Sequence, residues 1–331
     1  MSTQDLQAPV SARAQLSFRP AAAADARLFA ELSFAYRPDE PEDPELVRYY
    51  WENPTPGYSR ERFMVEAADT PVGFAEHLEP VAERDPERNG EIQAWLVPAA
   101  ASSERQLAVL EFIEERAAAA GVRILTSGIW EDDSLQAQAL LARGFSYDRL
   151  SKAWDLDLIE NRDRLLLLAG RSAALIAEQG ITCHAIAEDP DPEIWANTFA
   201  AVLDAERDVP RTEPYIPHTF EQFMNWHSDP GTSPRWFFVA KDGDRVVAVS
   251  TLRFPPVQGN VWTGFTGVAR SHRGRGIARG VKLAILKQAI DENVSRVRTD
   301  NDETNLAMLH INEELGYQRI PGIASYRKLP A

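Results

Sequence analysis

The chain has 331 residues, 44% of them hydrophobic, and its 50 acidic against 35 basic side chains give a net charge of −15. This length exceeds the usual single core and predicts two domains, while the negative balance excludes a nucleic-acid partner, because binding to phosphate backbones is driven by basic surface. A single cysteine, Cys183, excludes an internal disulfide framework and points to a reducing compartment.

Residues 1–15 are polar and alanine-rich, without the basic start and apolar run of a signal peptide, and read as a flexible N-terminus. No apolar stretch approaches the roughly 18 residues that a membrane span requires. The strongest local run, Leu165 to Leu168, sits inside a charged helix. A membrane partner is therefore not expected, and the expected location is cytoplasmic.

Phe63 to Phe74 reads as two strands joined by a tight turn, and Phe237 to Ala248 reads the same way, with Asp242-Gly243 as a hairpin signal. Ala94 to Val97 precedes a helix from about Arg105 to Ala119, as Phe265 to Val268 precedes one from Gly276 to Ile290. Strand Val122 to Ser127 matches Val294 to Thr299, and Leu141 to Phe145 matches Glu314 to Tyr317, each with a glycine, Gly144 or Gly316. The offset stays at about 170 residues, the size of a whole domain rather than a solenoid unit. Two copies of one fold are thus expected in tandem, at 16–158 and 180–331, with 159–179 as a charged helical connector.

In the second copy, Thr263 to Lys282 reads as a strand ending near Val268, a basic turn containing Gly274 and Gly276, and then a helix. Glycine lets the backbone approach a ligand closely. The free N–H groups of the helix, with the positive end of its dipole behind them, make an anion site suited to phosphate. Arg273 and Arg275 add charge beside it. The spacing fits neither G-x-x-x-x-G-K-[ST] nor G-x-G-x-x-G. Downstream, a short strand, Arg296 to Thr299, leads to a helix carrying Asn305, Met308 and Asn312, which stops at Gly316 in the manner of a C′ glycine.

Arg273-x-x-Gly276-x-Ala278 after a strand, followed by Asn305-x-x-Met308 and Leu315-Gly316-Tyr317, resembles the GNAT superfamily of N-acetyltransferases. The resemblance implies an α/β fold in which each copy is a mixed, mainly antiparallel twisted sheet flanked by helices. It implies acetyl-CoA as acyl donor; His218 and His227 lack a third ligand at metal spacing, so no metal is expected. The pyrophosphate would lie on Arg273, Gly274, Arg275, Gly276, Ile277 and Ala278, the pantetheine arm on Asn305, and the developing oxyanion on a backbone N–H near Val268. In the first copy Ser102, Ser103 and Glu104 stand in place of the loop, and Asp133 in place of Asn305. That copy reads as degenerate.

Many members of the family carry a Tyr four positions before the motif glycine as an acid for the thiolate. Asn312 occupies that position here, and the strand Asn260 to Val268 holds no Asp or Glu to serve as base. Asn312 is expected to bond the sulfur or orient a water, with His272 as a candidate base in the turn. Tyr317 and Tyr326 remain as alternative hydroxyls, and Thr263 and Thr266 as water-ordering groups. The acceptor pocket is expected between Trp195 and Trp226, with Asp204, Glu206, Asp208, Glu213, Tyr215, His218 and His227 around a proline-rich lid. The acidic field favours a cationic acceptor.

The leading expectation is an acetyl-CoA-dependent N-acyltransferase acting on a small-molecule amine, active in the C-terminal copy. A noncatalytic CoA-binding or regulatory protein, and a protein or peptide N-acetyltransferase, stay open beside it, as does the oligomeric state.

Overall fold

The computed structural model describes residues 16–212 and 215–330; the expected flexible N-terminus and Glu213 lie outside them. The first half contains β1 (Leu16–Pro20), α1 (Ala26–Tyr36), α2 (Pro44–Glu52), β2 (Tyr58–Ala67), β3 (Thr70–Pro80), β4 (Asn89–Leu96), α3 (Ser103–Ala119), β5 (Ile124–Trp130), α4 (Ser134–Ala142) and β6 (Ser146–Asp157). After α5 (Arg162–Ala177) come β7 (Ile181–Ala185), α6 (Ile194–Glu206), α7 (Phe220–Trp226), β8 (Phe237–Asp242), β9 (Arg245–Arg253), β10 (Trp262–Val268), α8 (Ile277–Asp291), β11 (Arg296–Asp302), α9 (Leu306–Leu315) and β12 (Gln318–Lys328).

Among the described residues these strands form one twelve-stranded sheet, in the order β1-β2-β3-β4-β5-β12-β6-β11-β10-β9-β8-β7. Period-two alternation sends successive side chains to opposite faces. Phe238, Ala240 and Val247 meet α5, α8 and α9 in one core, while Phe237, Val239 and Val246 meet α6 and α7 in another. The first half repeats the arrangement: Phe63, Val65 and Ala75 pack with α3 and α4, and Met64 and Phe74 with α1. Each half is therefore a mixed, mainly antiparallel sheet between helices, the α/β architecture expected.

The last strand of each sequence half is exchanged. β12 lies antiparallel between β5 and β6, and β6 lies antiparallel between β12 and β11. A sequence offset identifies which strands correspond; it does not say beside which neighbour each one settles. The α1–α2 loop of the first half also docks on the second. Asp43 Oδ2 accepts from the Val257 and Gln258 N–H groups at 2.6 and 2.9 Å, and Glu40 pairs with Arg298.

The feature that positions the site is a splay. β10 and β11 run parallel, but their ladder is paired at Trp262↔Arg298, while β9 accompanies β10 as far as Val268 and β6 accompanies β11 to Asp302. Beyond the pair the two strands diverge, leaving the β11-facing edge of β10 open. A register shift between Thr263 and Phe265 falls in this stretch. Gly264 allows it, since a Cβ there would stand 2.8 Å from Thr251 Oγ1.

Candidate functional site

β10 ends at Val268, and the chain passes through a short turn, Arg270–His272, into the glycine loop. Gly274 and Gly276 adopt φ of +74° and +78°, a left-handed conformation that side chains resist. Gly276 is the N-cap of α8 and supplies no side-chain cap, so among the described residues the first-turn N–H groups of the helix are left without a capping partner. They face a cavity of about 720 Å³, lined on one wall by Val268, Arg273, Gly274, Gly276, Ile277 and Ala278 and on the other by Asn305, Met308 and Ile311 of α9. An ideal Cβ at Gly274 would meet nothing within 4 Å, so that glycine leaves open space where a phosphate-sized anion can sit. Asn305 caps α9, its Oδ1 accepting from the Met308 N–H at 3.4 Å, and lines the same cavity.

The arginines divide. Arg273 stays on the cavity: its Nε donates to Val268 O at 3.2 Å and its Nη1 to Asp208 Oδ2 at 2.6 Å. Arg275 turns away, donating to Gln179 Oε1 at 3.0 Å at the end of α5, and does not line the cavity. Arg270, which the sequence reading did not single out, chelates Asp208 through Nε and Nη2 at 2.9 and 2.6 Å. Those two guanidinium groups hold the exposed Asp208 carboxyl below its usual range. Asp204 accepts the Arg270 backbone N–H at 2.8 Å. Asp204 and Asp208, expected around the acceptor pocket, are thus already engaged with this loop.

The two candidate catalytic side chains are also engaged. His272 is buried, with Nδ1 2.8 Å from Ser271 Oγ and Nε2 3.0 Å from Asp242 Oδ2 at the tip of the β8–β9 hairpin, so both ring nitrogens face protein partners. Asn312 has no exposed surface. Its Nδ2 donates to Asn301 Oδ1 at 2.8 Å, and its Oδ1 accepts from Lys282 Nζ at 2.9 Å.

On the other side of β10, α6 brings up a different acid. Ala205 lines the large cavity and stands 2.9 Å from where a Cβ on Gly267 would be. The next residue, Glu206, is buried enough that desolvation pushes its carboxyl up to about 7 against the opposing pull of Arg211. Among the described residues Glu206 Oε2 has no hydrogen-bond partner and lies 3.4 Å from His218 Nε2; Tyr215 Oη and His218 Nδ1 are likewise unpartnered among them. Tyr215 and His218 line a second cavity of about 460 Å³ with Trp226, Tyr58 and Arg60, so the first half forms its far wall. Burial lowers His218 and His227 to about 4, leaving both rings neutral near neutrality. In the sequence Glu206 is only one carboxylate among several, because desolvation by segments distant along the chain has no local signature.

The first half has its own cavity, of about 410 Å³, lined by Trp95, Trp130 and Gln136 among others, but the start of its helix is built differently. The N-terminus of α3 is closed by Ser102, whose Oγ accepts from the Arg105 N–H at 3.3 Å. Asp133 accepts from Tyr36 Oη at 2.8 Å and Gln136 Nε2 at 3.0 Å, and Tyr36 stacks on Trp95 with ring centroids 5.1 Å apart. A side chain thus caps the helix start in the first half, where the second half has none. Among the described residues no cluster of three or more His, Cys, Asp or Glu is placed to hold a metal ion, and no helix is long and apolar enough to cross a membrane.

Comparison with known proteins agrees with this geometry. Residues 199–317 match the model of the acetyltransferase (GNAT) family. A mycothiol acetyltransferase of Thermobispora bispora is 26% identical over 208 residues, covering 60% of this chain and 65% of the relative, just under two thirds of its length. A tandem GNAT protein from the clavulanic acid biosynthesis pathway superposes with a TM-score of 0.72 over 95% of this chain and 98% of its own, at 18% identity. A GCN5-related N-acetyltransferase from Sphaerobacter thermophilus gives 0.68 over 95% of each chain, at 17% identity.

Proposed function

We propose that this chain, a GNAT acetyltransferase built as two GNAT folds in tandem, transfers an acetyl group from acetyl-CoA to the amine of a small molecule at a single site in its C-terminal half. One observation carries the reading. The N-terminus of α8 is uncapped and opens through Gly274 and Gly276 onto a large cavity, while the corresponding N-terminus of α3 is closed by its own Ser102.

The donor supplies an acyl group activated as a thioester; the rest is done by residues of this chain. N–H groups of Gly276, Ile277 and Ala278, with Arg273 beside them, suit the pyrophosphate. Asn305 and the open edge of β10 suit the pantetheine arm, and a β10 N–H near Val268 suits the oxyanion. Glu206 is the group we assign as general base. It is desolvated, its Oε2 has no hydrogen-bond partner among the described residues, and its pKa lies near the pH at which a base must be both ionised and able to hold a proton. This replaces His272, whose nitrogens are committed to Ser271 and Asp242. The cavity beside Tyr215, His218 and Trp226 suits the acceptor, and the first half acts by completing its wall. The single cysteine, half-buried Cys183 with its thiol pushed up to about 12 by burial, supports a reducing, cytoplasmic setting and an unreactive thiol.

The test is release of free CoA thiol from acetyl-CoA by the intact protein in the presence of a panel of small primary amines and of lysine-containing peptides. Amine-dependent release by small acceptors is expected. Binding of acetyl-CoA with no acceptor-dependent release would favour the noncatalytic reading, and release with peptides alone would favour the protein-acetylating one.

A further inference from the structure

The parallel strands β4 and β5 are paired from Asn89↔Ile124 to Glu91↔Thr126 and then part, as β10 and β11 do in the second half. Past that point Trp95 of β4 and Trp130 of β5 line the cavity of about 410 Å³. Its other walls come from elsewhere: Phe29 and Tyr36 of α1, the α1–α2 loop, and Trp262 of β10. That loop is pinned by the second half. Besides the Asp43 bonds, Asn260 Nδ2 donates to Asp39 O at 2.8 Å and to Glu40 Oε2 at 2.9 Å, and Gln258 Nε2 donates to the Glu42 backbone oxygen at 2.7 Å. The cavity is therefore closed over by a segment whose backbone is fixed.

Five charged side chains line this cavity, and four of them are answered by the protein. Arg37 Nη1 donates to Asp132 Oδ1 at 2.6 Å, and Arg253 Nη2 to Asp229 Oδ2 at 2.9 Å. Glu40 pairs with Arg298, and Asp43 accepts the backbone N–H groups of Glu45, Leu46, Val257 and Gln258. Glu42 is the fifth, and among the described residues its carboxylate has no hydrogen bond and no ion pair. The side chain is exposed, because it lines both this cavity and the adjoining one of about 780 Å³. The surrounding protein still desolvates it, and this burial, followed by the charge of Glu40, pushes its carboxyl above the usual range, with Arg253 opposing. A carboxylate in such a place lacks a positive partner.

Aromatic faces and a carboxylate are the groups that hold an organic cation. The chain already uses the wall in this way, since the Arg37 guanidinium carbon lies 4.5 Å from the centre of the Trp130 ring. We infer that the cavity between β4 and β5 is a binding site for a small organic ammonium compound, with Glu42 as its counter-charge and Trp95 and Trp262 among its walls. The unanswered carboxylate also opposes an anionic donor there. The splay of the first half thus takes a ligand of opposite charge to the one assigned to the second, and this site stands whether or not the chain transfers an acyl group.

Choline is the probe, and 3,3-dimethylbutan-1-ol, which has its shape without its charge, is the control. Each is titrated into the intact protein at fixed ionic strength, followed by calorimetry and by tryptophan emission, since Trp95, Trp130 and Trp262 line the cavity. The wild type should bind choline at least about 10-fold more tightly than the neutral alcohol, with a change in emission. Glu42→Gln keeps the shape of the side chain and breaks no hydrogen bond, so it should weaken choline binding by at least about 10-fold without lowering thermal stability. Glu52→Gln removes the same charge from the exposed end of α2 and should bind choline within about twofold of the wild type. Equal binding of choline and the alcohol, or no binding of choline, would overturn the inference. So would a Glu42→Gln protein that binds choline as the wild type does, or an equal loss in the two variants, which would trace binding to the overall acidic field. A protein that binds choline through Glu42 and acetylates no amine keeps this site and loses the proposed function instead.

Discussion

Replacing Glu206 by Gln keeps the shape of the side chain and removes its charge, which separates a cost to stability from a use in chemistry. Desolvation raises this carboxyl from 4.5 to about 7. The folded-state value lies above the unfolded one, so the acid is harmless below the unfolded value, where both states are protonated, and it costs stability as pH rises through the folded value. At about 1.36 kcal/mol per pH unit the whole rise corresponds to about 3 kcal/mol. Solvent reaching the partly exposed group reduces that to about 1–2 kcal/mol. Glu206→Gln should therefore raise Tm at pH 8 by about 2–5 °C and leave it unchanged at pH 4. In the same protein turnover should fall about 100-fold, and the rise of kcat/KM through neutral pH should disappear. Thermal unfolding at the two pH values, together with thiol release from pH 5.5 to 9, reads both effects. An equal gain in Tm at both pH values would refute the desolvation argument. An intact rising limb would remove Glu206 from the chemistry.

Other consequences follow from the loop. Asp208 competes with the ligand for Arg270 and Arg273, so Asp208→Asn should tighten acetyl-CoA binding about threefold at low salt, less as salt rises, in a calorimetric titration; weaker binding would mean that the ion pairs pre-form the site. Gly276→Ala forces a Cβ into a left-handed position 3.2 Å from Leu175 Cδ2 and should lower stability by about 1–2 kcal/mol. Ser102→Ala removes the α3 cap and should cost about 1 kcal/mol in denaturant unfolding while leaving acetyl-CoA affinity unchanged; a matching loss of affinity would show that the first half holds the donor.

Much of the fold was legible because its signals are local. The helix read from about Arg105 to Ala119 is α3, Ser103–Ala119, and the second-half strand read as ending near Val268 is β10, Trp262–Val268. Glycines at positive φ values that side chains resist, next to arginines, likewise marked the loop within a few residues. What stayed hidden depends on distant segments. The exchange of β6 and β12 is decided by edges that meet only in the folded sheet. The engagement of His272 needs the hairpin tip at Asp242, and the turning of Arg275 needs Gln179 at the end of α5. Lys282, flanked by Val281 and Leu283, carries no local sign of burial. It is buried because α8 packs against α5, β8 and β9 at once, with little of its surface left for solvent.

The central claim is one donor site per chain, in the C-terminal half, and calorimetric titration of acetyl-CoA into the intact protein and into Gly276→Glu tests it most directly. A carboxylate about 5 Å from a doubly charged pyrophosphate is opposed by about 1.7 kcal/mol even in water-like surroundings, and by several times that in a partly desolvated loop, so affinity should drop at least about 15-fold. One site in the wild type, weakened to that extent in the variant, is the predicted result. Two sites, or one site that Gly276→Glu leaves intact, would place the donor in the first half and contradict the account.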